Sequence, residues 1–268
     1  AHDASAAPSD FASAMERKAL VTQQLRTGVE QLLSAPGITL VRGQATFTDA
    51  HTVTIGDTTV EADNIIIATG SESRIPSITD IDNPRVITST EALQLQSLPE
   101  TIVIVGAGVI GMEFASILAR FGSKVTVIEY LKECLPMFDK DIAKRLRKAI
   151  EKQGVTFFMD SAVSEITDGE VIFKSNKTGA ETRLPCAGAP VLIATGRKPS
   201  VEGLNLEAAG VEYDARGIRT DDSMRTSQPH IYAIGDVTGK QMLAHAATAM
   251  GIRAVNAILG KSDRIRLD

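Results

Sequence analysis

The sequence predicts an α/β protein built on a parallel sheet, and three observations predict it. Residues 101–130, TIVIVGAGVIGMEFASILARFGSKVTVIEY, hold an apolar β-branched run, a glycine-rich turn, a helix-period segment and a second apolar run ending in an acid. A short apolar run ending in Ala-Thr-Gly occurs twice, at residues 65–70 and 191–196, each time after a β-hairpin region. Strand-like and helix-like segments alternate along much of the chain, the pattern of sheets wrapped by crossover helices.

Taken in order, residues 10–33 place Phe11, Met15, Val21, Leu25, Val29 and Leu32 at roughly helical spacing. Ser9 or Asp10 caps this helix and Pro36-Gly37 stops it, while Glu16, Arg17 and Lys18 form a solvated face. Short β runs follow at 38–42, 45–48 and 52–55, and Gly56-Asp57 turns the last of these into 58–61. Residues 64–68, NIIIA, are apolar throughout and read as a buried strand that delivers Thr69, Gly70 and Ser71 at its end. Residues 72–99 form a connection punctuated by Pro76, Pro84 and Pro99, with a short helix at 89–95.

After the glycine-rich unit, residues 139–153 are a helix with Ile142, Leu146, Ala149 and Ile150 on its inner face and Gly154 at its end. Strands follow at 155–159, 162–166, 171–174 and 191–194, with a hairpin turn at Asp168-Gly169. Beyond Glu202 the chain is polar and turn-rich until residues 231–236, IYAIGD, a short strand that delivers Asp236. That aspartate suits a sugar hydroxyl, and it equally suits a cap on the next helix. Met242, Leu243, Ala244 and His245 open that helix, with Ala247, Met250 and Val255 facing inward.

The chemistry concentrates at 106–111, G-A-G-V-I-G. Gly106 permits the tight turn, Gly108 lets backbone approach a pyrophosphate, and Gly111 lets helix and strand pack closely. The helix start offers unpaired N–H groups and a positive dipole end to phosphate. Glu129 ends the second strand, where a carboxylate accepts from the adenosine ribose hydroxyls and repels a 2′-phosphate. The site is thus expected to take NAD rather than NADP, with nearby Lys132 acting in the opposite sense.

GAGVIGMEFAS with Glu129, the two Ala-Thr-Gly ends, and TSQPHIYAIGD followed by MLAH resemble the flavin-dependent pyridine nucleotide–disulfide oxidoreductases, and within them the dihydrolipoamide dehydrogenases. The resemblance covers essentially the whole chain. It implies a Rossmann-like NAD-binding domain, a central parallel sheet plus β-meander, inserted in a partial FAD-binding domain of similar plan. The implied division is FAD domain at 1–88, NAD domain at 89–222 and a returning FAD segment at 223–268. Gly106, Ala107, Gly108, Val109, Ile110, Gly111, Met112, Glu113 and Glu129 are implied to contact NAD, Glu113 near the nicotinamide amide. Val163 and Gly196 border the adenosine and nicotinamide ends. On the FAD side the resemblance implies Ala45 at the adenine, Thr69, Gly70 and Ser71 along the pyrophosphate edge, Asp236 on the ribityl chain, and Met242, Leu243, Ala244 and His245 lining the flavin.

Parts of the family pattern have no match. There is no first G-x-G-x-x-G for FAD, no cysteine pair four residues apart, and none of His2, His51, His230 and His245 fits the family's catalytic base. The expectation is a fragment that binds NAD, binds FAD weakly or not at all, and is inactive alone. The parent is then a homodimer that oxidises dihydrolipoyl groups on proteins of 2-oxoacid dehydrogenase or glycine cleavage complexes, with NAD as acceptor. Another flavin disulfide reductase, of glutathione or mercuric type, and a stand-alone NAD-binding module remain open.

Bulk properties narrow the field further. A net charge of −5 over 268 residues, with no large basic patch, argues against nucleic acid. No apolar run reaches membrane-spanning length. Cys134 and Cys186 lie far apart, which excludes a disulfide framework and points to the cytoplasm. The opening AHDASAAPSD carries neither a basic segment nor an apolar core, so no signal peptide is expected there.

Overall fold

The computed structural model describes residues 10–261, so Ser9 and His2 lie outside the described residues. Two compact units emerge, one from Ala1–Leu32 with Ser73–Gly196, the other from Leu33–Glu72 with Arg197–Asp268.

The first unit is organised around a five-stranded parallel sheet in the order Val86–Ile87, Val191–Ile193, Thr101–Val105, Lys124–Ile128, Thr156–Phe158. The central runs are mostly apolar because both faces are covered. Successive side chains point to opposite faces. Ile102, Ile104, Val125, Val127 and Leu192 join one core with Ala115 and Leu118 of helix Val109–Phe121 and Ala143 and Ile150 of helix Lys140–Glu151. Val103, Val105, Ile128, Val191 and Ile193 join the other, against Ile166, Val171 and Phe173. Those three belong to an antiparallel meander, Ser161–Ile166, Glu170–Ser175 and Glu181–Pro185, whose third strand the sequence reading did not place.

In the second unit, strands Ala45–Phe47, Thr52–Ile55 and Thr58–Glu61 form an antiparallel sheet. The turn at Gly56 has the expected positive φ of 56°. Ile65–Ile67 pairs in parallel with Ile231–Ala233, and Ile234 N–H donates to the Ile67 carbonyl at 3.0 Å. Phe47, Ile67, Leu204, Leu206, Val211, Ile218, Ile231 and Val237 share one core. That shared core is why residues 197–222 cluster with the second unit. Ile78, Ile81 and Val86 pack on the first unit's core. The compact units therefore exchange at 32/33, 72/73 and 196/197, whereas the sequence places divisions at 88/89 and 222/223 and none near 32.

Several expectations need correction. Helix Phe11–Leu33 forms, with Asp10 accepting from the Ala12 and Ser13 amides, but none of its residues is buried. Only Phe11 packs on a core, edge-on to Phe121, while Leu25, Val29 and Leu32 face solvent. Residues 38–42 are not a strand, because no partner strand satisfies their backbone and Ile38, Leu40 and Val41 are exposed. The run at 64–68 is a strand over Ile65–Ile67, yet Ile66 is exposed.

In helix Lys140–Glu151 the buried residues are Ala143 and Ile150; Ile150 faces inward as expected, while Ile142, Leu146 and Ala149 are exposed. Two anchors set this rotation. Arg147 is salt-bridged to Glu133, and the Cys134 thiol lies 3.4 Å from the Ala143 carbonyl, which small Ala143 allows. Burial pushes the Cys134 thiol up to about 11, so it is neutral. In helix Ala244–Ile258 the buried residues are Ala246, Met250, Arg253 and Ala254; Val255 is exposed and Ala247 only half-buried.

Candidate functional site

The parallel order makes the site. From Thr101–Val105 the chain passes to one side, to Lys124–Ile128 and Thr156–Phe158, and later returns on the other side as Val191–Ile193. The sheet's direction of build thus reverses between Thr101–Val105 and Val191–Ile193. Ligands of open α/β sheets sit at such a reversal, beyond the carboxyl ends of the strands. Gly106–Gly111 and Ala194-Thr195-Gly196 both lie at that edge.

The three glycines have different surroundings. A Cβ on Gly106 would meet the Ala194 carbonyl oxygen at 2.5 Å, and its φ is 108°. A Cβ on Gly111 would lie 2.0 Å from the Gly106 carbonyl oxygen and 3.4 Å from the Ala194 Cβ. These two exist for close packing. Gly108 is different: a Cβ there meets nothing within 4 Å, and its φ of −71° is ordinary. Space alongside Gly108 is open, and Gly108 caps the helix without a side-chain bond. The first-turn amides therefore face that opening with no capping side chain.

Glu129 completes the turn. It is only 8% exposed, and both carboxylate oxygens are held by backbone. Ala107 N–H donates to Oε2 at 2.5 Å, and Leu131 N–H donates to Oε1 at 2.7 Å. A carboxylate offers about four acceptor positions, so capacity remains for two ligand hydroxyls. Ala107 itself is fully buried, its carbonyl accepting from Leu135 N–H, so it holds Glu129 and presents no group of its own. Met112 is likewise in the core. Val109 and Glu113 are exposed and Ile110 is half-buried. Val163 is half-buried in the meander, packed on the core that includes Val105 and Ile193. Gly196 is exposed with φ 119°, and its carbonyl accepts from Arg74 N–H.

The second unit gathers a different set. Gly70, at φ 74° with open space at its Cβ position, follows the end of Ile65–Ile67. Asp236 follows the end of the parallel partner, inside the 3-10 turn Gly235–Thr238. Ser71 Oγ donates to Asp236 Oδ2 at 2.6 Å, so the two strand ends meet. Thr69 Oγ1 donates to the Ser200 carbonyl at 2.7 Å. Helix Ala244–Ile258 carries no side-chain cap, which removes the helix-cap role for Asp236. Met242 is half-buried and Leu243, Ala244 and His245 are exposed at this helix's start; Ala45 is half-buried at the edge of the antiparallel sheet.

Arg197 was missing from the sequence-derived set. Its Nε donates to Ser71 Oγ at 2.7 Å and its guanidinium also reaches the Ser71 carbonyl. Its place directly after Thr195-Gly196 was the available signal, but only the fold brings it to Ser71. Among the described residues no cluster could hold a metal ion, and no helix is long and apolar enough to cross a membrane.

The family described as pyridine nucleotide-disulphide oxidoreductase matches residues 2–251. The dihydrolipoyl dehydrogenase of Mycobacterium tuberculosis is 40% identical over 259 residues, covering 94% of this chain and 55% of that protein. Dihydrolipoyl dehydrogenase 3 of Haloarcula marismortui is 37% identical, covering 90% of this chain and 53% of that protein. The solved HOCl-induced flavoprotein disulfide reductase RclA from Escherichia coli superposes with a TM-score of 0.86 at 32% identity, over 96% of this chain and 59% of that one. The chain thus spans about half the length of these curated relatives. With a glycine turn, a terminal glutamate and two parallel strand ends arranged as the motifs require, and a family match across 2–251, the chain belongs to the pyridine nucleotide-disulphide oxidoreductase family.

Proposed function

We propose that the first unit binds NAD across the glycine turn, as the hydride-accepting part of a flavin-dependent disulfide oxidoreductase. The observation that carries this reading is the buried Glu129 carboxylate, fixed by the Ala107 and Leu131 amides beside the open face of Gly108. Backbone at Gly108 and the amides of Val109 and Ile110 take the pyrophosphate. Glu129 accepts from the adenosine ribose hydroxyls, and its charge disfavours a 2′-phosphate. Val163 borders the adenosine, and Glu113 and Gly196 border the nicotinamide.

The second unit fits part of a flavin site. The open face of Gly70 suits a pyrophosphate edge, and the Ser71–Asp236 pair suits the hydroxyls of a ribityl chain. Ala45 and Met242–His245 complete that set. Bound flavin would relay electrons from a dithiol to NAD. In this assignment residues 1–88 and 223–268 serve FAD and 89–222 serve NAD. The whole protein, a homodimer of the cytoplasm, oxidises dihydrolipoyl groups carried by proteins of 2-oxoacid dehydrogenase or glycine cleavage complexes. The 268-residue chain alone is inactive and holds FAD weakly or not at all. The likeness to RclA supports a second reading, a flavin disulfide reductase with a different disulfide substrate.

Calorimetry of the purified chain tests the central claim. The expected result is one NAD per chain, with NADP bound more weakly. Absence of NAD binding at millimolar coenzyme refutes the site. Lipoamide-dependent NADH formation by the chain alone would refute its inactivity.

A further inference from the structure

The segment that follows Glu129 is fastened to the meander. Glu129 N–H donates to the Phe158 carbonyl at 2.8 Å, and Ser161 N–H donates to the Glu129 carbonyl at 2.8 Å. Asp160 N–H donates to the Leu131 carbonyl at 2.9 Å. One side chain joins this set. Asn176, in the turn after Glu170–Ser175, donates from Nδ2 to the Tyr130 carbonyl at 2.8 Å. Its own N–H donates to the Asp160 carbonyl at 2.7 Å. Asn176 therefore grips the Tyr130–Leu131 peptide, whose N–H is the one that holds Glu129 Oε1.

We infer that Asn176 is a positioning residue for coenzyme selection, acting through the Tyr130–Leu131 peptide to aim the Glu129 carboxylate. This rests on the NAD reading above and adds the element that sets NAD against NADP. The carboxylate has two tethers, one on each oxygen, Ala107 N–H and Leu131 N–H. With both in place it cannot swing, so its lone pairs meet a ribose diol in one geometry and its charge stays where a 2′-phosphate would sit. Releasing the Tyr130–Leu131 peptide leaves Oε2 tethered and lets Oε1 turn. Diol acceptance weakens and the charge becomes movable. NAD then loses affinity while NADP loses little or gains. Asn176 touches no ligand in this scheme. It is exposed, so it can be replaced at the surface without a buried cavity.

The test uses the purified 268-residue chain with Asn176→Ala and Asn176→Asp. The second keeps the shape but cannot donate to a carbonyl. NAD and NADP dissociation constants are measured by calorimetry, with a urea melt on each variant. A solvent-exposed hydrogen bond predicts about a two- to fivefold rise in the NAD constant for both variants. The NADP constant stays level or falls, so the ratio between coenzymes narrows. A purely structural role would lower the urea midpoint and leave that ratio unmoved, and such a result overturns the inference. So does an unchanged NAD constant in both folded variants. If either variant fails to fold, the other carries the test. Failure of the parent chain to bind NAD would instead overturn the coenzyme reading, which the wild-type titration shows before any variant is compared.

Discussion

Two substitutions three residues apart should separate folding from binding. At Gly111 a Cβ would sit 2.0 Å from the Gly106 carbonyl oxygen and 3.1 Å from its carbon. Neither atom is a flexible side-chain end, so the helix must withdraw from the strand by about 1.5 Å to restore ordinary contact. Overpacking of this kind costs about 3 kcal/mol, and Ala regains about 1 kcal/mol of helix propensity over Gly. Gly111→Ala is thus expected to lower stability by about 2 kcal/mol. At Gly108 the same Cβ meets nothing within 4 Å, and φ is −71°. Val at a helix cap costs up to about 1 kcal/mol relative to Gly, and the smaller entropy of the unfolded chain offsets about 0.4–1 kcal/mol. Gly108→Val should therefore stay within about 1 kcal/mol of the parent. Its side chain fills the pyrophosphate approach, and losing one charge-assisted contact of about 1.5–3 kcal/mol weakens NAD about tenfold to a hundredfold. Urea melts and calorimetry on both variants read the two effects. If Gly108→Val is as destabilised as Gly111→Ala, or binds NAD as before, the division of labour among the three glycines is wrong.

Two further outcomes follow from other residues. Glu129→Arg should reverse the preference towards NADP and destabilise the first unit by about 1–3 kcal/mol, because the Ala107 and Leu131 amides lose their acceptor; unchanged constants for both coenzymes would remove Glu129 from the ribose. The Arg147 guanidinium beside Glu133 holds that carboxyl below its usual value of 4.5. Its folded value is thus lower than its unfolded one, so the pair's contribution is complete above pH 4.5 and lost as pH falls below it. Glu133→Gln should lower the melting temperature at pH 7, with the gap to the parent closing in acid; a gap independent of pH would refute the linkage.

Local features around the glycine turn were legible before any coordinates. The turn at 106–111 was readable because each glycine answers a separate steric demand, and Glu129 because a strand of five residues delivers the sixth to the sheet edge. The double Ala-Thr-Gly pattern marked strand ends correctly, since Thr69, Gly70 and Ser71 and the Thr195-Gly196 pair both close parallel strands. Helix faces were less legible. In Lys140–Glu151 Ile150 faces inward as its spacing implies, but Ile142, Leu146 and Ala149 do not, because Arg147–Glu133 and the approach of Cys134 to Ala143 decide the rotation, and both are tertiary contacts. The helix at Phe11–Leu33 carries an apolar period that the described residues do not bury.

The sequence by itself determined the glycine turn, the strand-end acid and the family. These are local features: a steric requirement on consecutive residues, or a spacing along one strand, is written in neighbouring positions. Tertiary structure alone decided that both oxygens of Glu129 are spoken for by backbone, that Arg197 reaches Ser71 and Ser71 reaches Asp236, and that Asn176 holds the peptide after Glu129. Apart from the local Leu131–Glu129 bond, those bonds join residues 22 to 165 positions apart. No periodicity encodes which side chain arrives there, because arrival depends on how separate strands and turns are brought to one edge of the sheet.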